Sequence, residues 1–176
     1  ASDVYKRQVW NWYSVNTIIQ YNQATSIRGI LDSHGIHVDH HNENTFIQYN
    51  YMEDCEGGFV EILGDNETAV YRFNISVNDG WRENPNWVNS NHTIWLSNTI
   101  GGEAGHESNN SFIYNNTVVV NRSSNPYRTA IDIRANNTRI FNNIFYSING
   151  SKIGGKQVRV EDDNILVTNN LFHGNV

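Results

Sequence analysis

The sequence predicts an all-β solenoid in which short parallel strands wind through about seven stacked coils. Three observations carry this: an Asn that recurs at solenoid spacing, an apolar residue three places before it, and a second Asn-rich column six places before it. The recurring Asn falls at Asn22, Asn50, Asn74, Asn98, Asn116, Asn143 and Asn170, at intervals of 28, 24, 24, 18, 27 and 27 residues. Three places earlier stand Ile19, Ile47, Tyr71, Trp95, Ile113, Ile140 and Val167, all apolar. Six places earlier stand Asn16, Asn44, Thr68, His92, Asn110, Asn137 and Asn164. The frame aligns the first Asn by construction, so the independent support comes from the other two columns.

Residue types decide what each repeat builds. Asn, Thr, Val, Ile and aromatics dominate every copy, Leu and Ala are scarce, and no segment holds an apolar stripe of period 3.6, which excludes helical and leucine-rich repeats. Period-two alternation bounded by Gly, Asn and Asp marks strands at Ile36-His37-Val38, Val60-Glu61-Ile62, Ile131-Asp132-Ile133 and Val158-Arg159-Val160. Each precedes an Asn-Thr copy, so one repeat holds at least two strands. Stacking coils about 4.8 Å apart sets each column over itself. An inward Asn suits a bend because its amide donates and accepts along the stack, where backbone groups would otherwise be unpaired.

From about Asn16 to Phe172 the pattern closely resembles the right-handed parallel β-helix repeat family. That solenoid is shared by many pectate-lyase-like polysaccharide lyases, some glycoside hydrolases, phage tailspikes and surface adhesins. The resemblance implies a right-handed β-helix and a secreted or cell-surface bacterial protein that meets a polysaccharide. It does not extend to known catalytic motifs. Neither the Arg-x-Pro-x-x-Arg signature of pectate lyases nor the Asn-Thr-Asp and Gly-His-Gly pair of polygalacturonase-like hydrolases is present.

At 176 residues the chain suits one domain. Residues 1–8, Ala-Ser-Asp-Val-Tyr-Lys-Arg-Gln, look like a translated sequencing-adapter scar from environmental reads and are set apart as a non-native leader. Residues 9–176 are then expected to be an internal fragment of a longer β-helix, with both end caps missing. A net charge of −6 with scattered Lys and Arg argues against a nucleic-acid partner, and no apolar run is long enough to span a membrane. The single Cys55 cannot form an internal disulfide and reads as a small core residue.

The chemistry concentrates between His34 and Trp95. In Asp32-Ser-His-Gly-Ile-His-Val-Asp-His-His41, inward Ile36 and Val38 place His37, Asp39 and His41 on the outward face. If Val60 and Ile62 also point inward, Glu61 stands one strand spacing from His37. That pairs an imidazole with a carboxylate, for acid/base work or as a cross-strand ion pair. Asp39, Asp54 and Glu61 could alternatively hold a hard cation such as Ca²⁺. Gly57-Gly58 reads as a tight turn into the strand. The segment from Asn78 to Trp87 offers Trp81 and Trp87 to stack on sugars and Arg82 to bind a uronate carboxylate. Isolated His92, His106, Asp132, Arg134 and His173 read as solvated residues on outward faces.

The expected function is therefore an extracellular carbohydrate-active protein that cleaves a polysaccharide, as a uronate lyase with His37 as base or as a hydrolase using Glu61 and Asp39. The alternatives are a glycan-binding adhesin and a structural spacer.

Overall fold

The computed structural model describes residues 8–29, 33–82, 91–122 and 128–176. Among these there is no helix, and the strands form three parallel sheets that the chain visits in rotation. The first sheet stacks Val9–Asn11, Ile36–Val38, Gly58–Ile62, His92–Leu96, Arg128–Ile133 and Lys152–Val160. The second stacks Val15–Gln20, Glu43–Gln48, Glu67–Arg72, Ser108–Tyr114, Arg139–Phe141 and Leu166–Thr168. The third stacks Gln23–Thr25, Tyr51–Glu53, Ile75–Val77, Thr117–Asn121, Ile144–Ile148 and Leu171–His173. Each coil thus carries three strands. The protein is a parallel β-solenoid of about five turns, with no transmembrane-length apolar helix among the described residues.

The shortfall from seven coils has a local cause. Six of the seven aligned Asn residues form one ladder between the second and third sheets, and Asn98 is not among them. The ladder passes directly from Asn74 to Asn116, 42 residues on. Trp95 lies in the first sheet, and after it an antiparallel hairpin pairs Thr99–Ile100 with Glu103–Ala104. That hairpin lengthens the coil, so the copy at Asn98 belongs to an insertion and not to a coil of its own.

The ladder explains why Asn recurs. Each Oδ1 accepts both the backbone N–H and the side-chain N–H of the Asn one coil earlier, at 2.9–3.1 Å from Asn22 through Asn170. From Asn50 onward each Nδ2 also donates to the carbonyl of the apolar residue in the previous coil, as Asn50 does to Ile19 and Asn116 to Tyr71. The residue before each rung is forced left-handed: Tyr21, Tyr49, Phe73, Asn115, Asn142 and Asn169 have φ of 53–58°. A non-glycine residue there costs roughly 1–2 kcal/mol, which the paired amides offset. Ser97, before Asn98, is not in that conformation. A second Asn ladder went unread in the sequence. At the bend between the first and second sheets Asn42 Oδ1 accepts from Ser14 N–H, Asn66 Oδ1 from Asn42 N–H, and Ser108 Oγ from Asn66 N–H.

The apolar column beside the main ladder is buried at Ile19, Ile47, Tyr71, Ile113 and Ile140. Val167, expected with them, stands on the last described rung and is 52% exposed. Ile36, Val38, Val60, Ile62, Ile94, Leu96 and Ile133 join the core from the first sheet. Cys55 is fully buried there, and burial pushes its thiol pKa up. Of the proposed leader, residues 1–7 lie outside the described residues. Gln8 accepts a hydrogen bond from the backbone of Ser33 through its Oε1.

Candidate functional site

Because Ile36, Val38, Val60, Ile62, Ile94 and Leu96 point into the core, the residues between them point out. Parallel register stacks those residues into one column on the first sheet: Trp10 over His37, His37 over Glu61, then Trp95, Asp132 and Arg159. The column is laid down by strand pairing alone, with no loop needed to assemble it.

Its lower part is covered. His37 and Glu61 are neighbours as the alternation predicts, with Nδ1 and Oε2 3.5 Å apart, but they are 1% and 0% accessible where an open outward groove was expected. A residue without an assigned role completes the group. His34 Nδ1 stands 2.7 Å from the same Oε2, equally buried. Two imidazoles thus converge on one carboxylate oxygen. Trp10 lies parallel to His37 at 6.1 Å, and Trp95 closes on His34 at 6.2 Å. The signal for His34 was Gly57-Gly58. A Cβ on Gly57 would stand 2.6 Å from His34 Nδ1, and one on Gly58 would run into the carbonyl of His92. These glycines clear space for an imidazole as well as turning the chain.

The other predicted residues are dispersed. Asp39 Oδ1 accepts the His40 backbone N–H at 2.8 Å, and its carbonyl accepts from Asn42 and Asn66, so it serves the bend. His41 packs on Tyr13 and faces Asp65 at 3.6 Å, while His106 reaches the same carboxylate at 2.8 Å. Asp54 is held by Arg28 and Arg122. Burial opposes its ionisation, but those guanidinium groups prevail and leave its pKa lowered. Among the described residues no three His, Cys, Asp or Glu side chains are grouped so as to hold a metal ion. The proposed set of Asp39, Asp54 and Glu61 therefore does not come together as a Ca²⁺ site. The Trp81 ring is taken by Arg122 at 4.0 Å and Arg28 at 4.5 Å. Trp87 lies outside the described residues.

Further along the column the face opens into a cleft of about 280 Å³ lined by His92, Trp95, Asp132, Arg134, Lys156 and Arg159, among others. Three of these had read as solvated bystanders. Asp132 is buried and held side-on by Arg134, with Nε at 3.0 Å and Nη2 at 2.7 Å from its two oxygens. His92 stacks on Trp95 at 5.2 Å. Burial, reinforced by His34, lowers its pKa to about 3, so it is neutral at physiological pH. Lys156 is exposed as a residue, yet desolvation of its ammonium and the neighbouring Arg82 lower its pKa. Arg82, itself buried, thereby adds positive charge at the edge of this cleft. Sequence alone could not gather these groups, because they come from three coils and only the register aligns them.

Comparison with protein-family models, with curated proteins and with solved structures returns no match.

Proposed function

We propose that this solenoid is an extracellular, carbohydrate-active protein that binds an acidic polysaccharide along the outward face of its first sheet. The observation that carries the reading is the cleft. On a chain of net charge −6, Arg134, Lys156 and Arg159 gather beside Trp95 and His92, with Arg82 at the edge. Local positive charge against a negative whole selects anions at that place. A column spanning successive coils also suits an extended polymer better than a compact metabolite. The likeness of the repeat to pectate-lyase-like β-helices supports a secreted or cell-surface setting and a glycan partner.

Cleavage is the second reading, and one observation favours it: His34 and His37 converge on Glu61 in the same column. Imidazoles beside a carboxylate can relay a proton, provided that substrate reaches them. A panel of neutral and acidic glycans tests both readings. Binding is measured on an array, and cleavage by release of reducing ends and of unsaturated products. Binding to acidic glycans without products supports the first reading, products support the second, and silence in every assay overturns both.

A further inference from the structure

The third sheet departs from the alternation that marks the first. On the first sheet apolar residues point in and polar ones out, as in Val60-Glu61-Ile62 and Ile131-Asp132-Ile133, whereas Thr117–Asn121 reads Thr-Val-Val-Val-Asn and Ile144–Ile148 reads Ile-Phe-Tyr-Ser-Ile. Near-continuous apolar runs belong to strands covered on both faces. Ser76, Val118 and Phe145 fill the inner face, and register sets two outward columns beside them, Ile75 over Thr117 over Ile144 and Val77 over Val119 over Tyr146. None of these six outward side chains is charged, yet Ile75, Ile144 and Tyr146 are 45%, 39% and 36% exposed. A row of rings borders this face at the bend. Tyr21, Tyr49 and Phe73 stack on one another at 5.5 and 5.1 Å, and Tyr114 packs edge-on against Phe73 at 6.2 Å. The row forms one wall of a groove of about 480 Å³, with Tyr51 and Ile75 on the other side. Tyr49 and Phe73 spend their faces on neighbouring rings, so the row offers edges to pack against and not open faces on which a sugar could stack.

We propose that the outward face of the third sheet, from the Tyr49 and Phe73 rings to Tyr146, is the interface of a symmetric dimer, covered by a second copy of this chain. Three properties select that partner. An uncharged face takes an uncharged partner, because a charge buried against it is desolvated without return. The first-sheet column carries Glu61, Asp132 and Arg159, and the second sheet carries Arg139 and Arg72, whose guanidinium lies over the Phe46 ring at 5.4 Å, so among the three faces the third matches itself best. Pairing of like with like is isologous and closes at two copies. The side-chain rows also repeat at the strand spacing of about 4.8 Å, a pitch that a second solenoid shares, so two such faces about 10 Å apart interdigitate coil by coil. Half-exposed rings and aliphatic side chains here present on the order of 500 Å² per copy, large for an exposed apolar patch and, doubled, at the lower limit of a specific interface. A weak, reversible dimer follows, and it leaves the first-sheet cleft uncovered in both copies.

Sedimentation equilibrium of the full chain from about 5 μM to 1 mM is expected to show a monomer–dimer equilibrium with Kd on the order of 100 μM. Concentration-dependent chemical shifts are expected at Ile75, Ile144 and Tyr146 and not at Asp132. Ile75→Glu and Ile144→Glu, which set like charges into the interface, are each expected to raise Kd about tenfold or more. Ile18→Glu, at a residue 58% exposed on the second sheet, is expected to leave it unchanged. Circular dichroism verifies the fold of each variant, and Ile144→Thr, which keeps a β-branched side chain, repeats the test with an expected rise of about threefold. A chain monomeric up to about 1 mM overturns the proposal. So does association indifferent to the third-sheet variants, or association that grows past two copies, since either assigns the contact to another surface such as the ends of the solenoid. A monomer whose third-sheet shifts move on adding a neutral oligosaccharide would make a glycan the occupant and overturn it as well.

Discussion

His34 Nδ1 lies 2.7 Å from Glu61 Oε2, and neither side chain touches solvent. Glu61 is therefore first a structural group, whatever chemistry the column performs. Removing the carboxylate takes away the oxygen on which two buried imidazoles converge, and that loss exceeds what the contact contributes. Glu61→Ala is expected to destabilise the protein by about 3–5 kcal/mol in urea unfolding. An effect under about 1 kcal/mol would mean the cluster is open to water.

The glycines beside His34 make a second prediction. Gly57→Ala sets a methyl group 2.6 Å from both the backbone nitrogen and the Nδ1 of His34, in a region with no slack. A loss of about 1–3 kcal/mol is expected, with His34 ring resonances shifted. Gly101→Ala is a poor control despite its open surroundings, because Gly101 has φ 58°. The comparison is therefore with Thr117→Ala on the third sheet.

Rung membership separates two asparagines of identical chemistry. Asn116→Ala leaves the backbone N–H of Asn74 and the carbonyl of Tyr71 without their partners in the core. Each buried orphan costs about 1–3 kcal/mol, so a loss of about 2–6 kcal/mol is expected. Asn98→Ala, in the insertion, is expected to stay within about 0.5 kcal/mol of the parent. Equal effects at the two positions would contradict the ladder that joins Asn74 directly to Asn116.

Asp79 gives stability a dependence on pH. Burial raises its pKa from 3.8 to about 7, although Ser76 Oγ at 2.6 Å and the Cys55 N–H at 2.8 Å both favour its charge. Between these values the folded protein holds a proton that the unfolded chain has released. Its contribution is fully present below pH 3.8, declines as pH rises through the interval, and is lost above about 7. Urea titrations from pH 4 to 8 are expected to show stability falling, and Asp79→Asn is expected to flatten that fall. A profile unchanged by the substitution would assign the dependence to another group.

How legible this was in the sequence depended on how each residue is read by its neighbours. The fold was legible because the Asn column and the apolar column answer to the coil directly below, which carries the same residue types. The coil count was not, because the copy at Trp95 and Asn98 runs from a strand of the first sheet into the inserted hairpin and reproduces the motif without the left-handed residue that makes a rung. The His37 and Glu61 contact was legible from period-two alternation, whereas its burial was not. The rings packed beside the cluster, Trp10 on His37 and Trp95 on His34, come from the coils on either side. The cleft was illegible for a related reason. His92, Asp132 and Lys156 are solitary in sequence and acquire meaning only once register brings three coils together.

The asparagine ladder has one more property, which is direction. Every amide-to-amide hydrogen bond in it runs the same way, donated from Asn22 toward Asn170. The amide dipoles therefore add head to tail and strengthen one another, so the row behaves as a single polarised filament running the length of the solenoid. Its two termini are chemically unlike: Asn22 presents a carbonyl oxygen and Asn170 presents N–H. A coil docking onto either end would have to arrive with the complementary group, so the filament imposes a vector on any assembly that extends it.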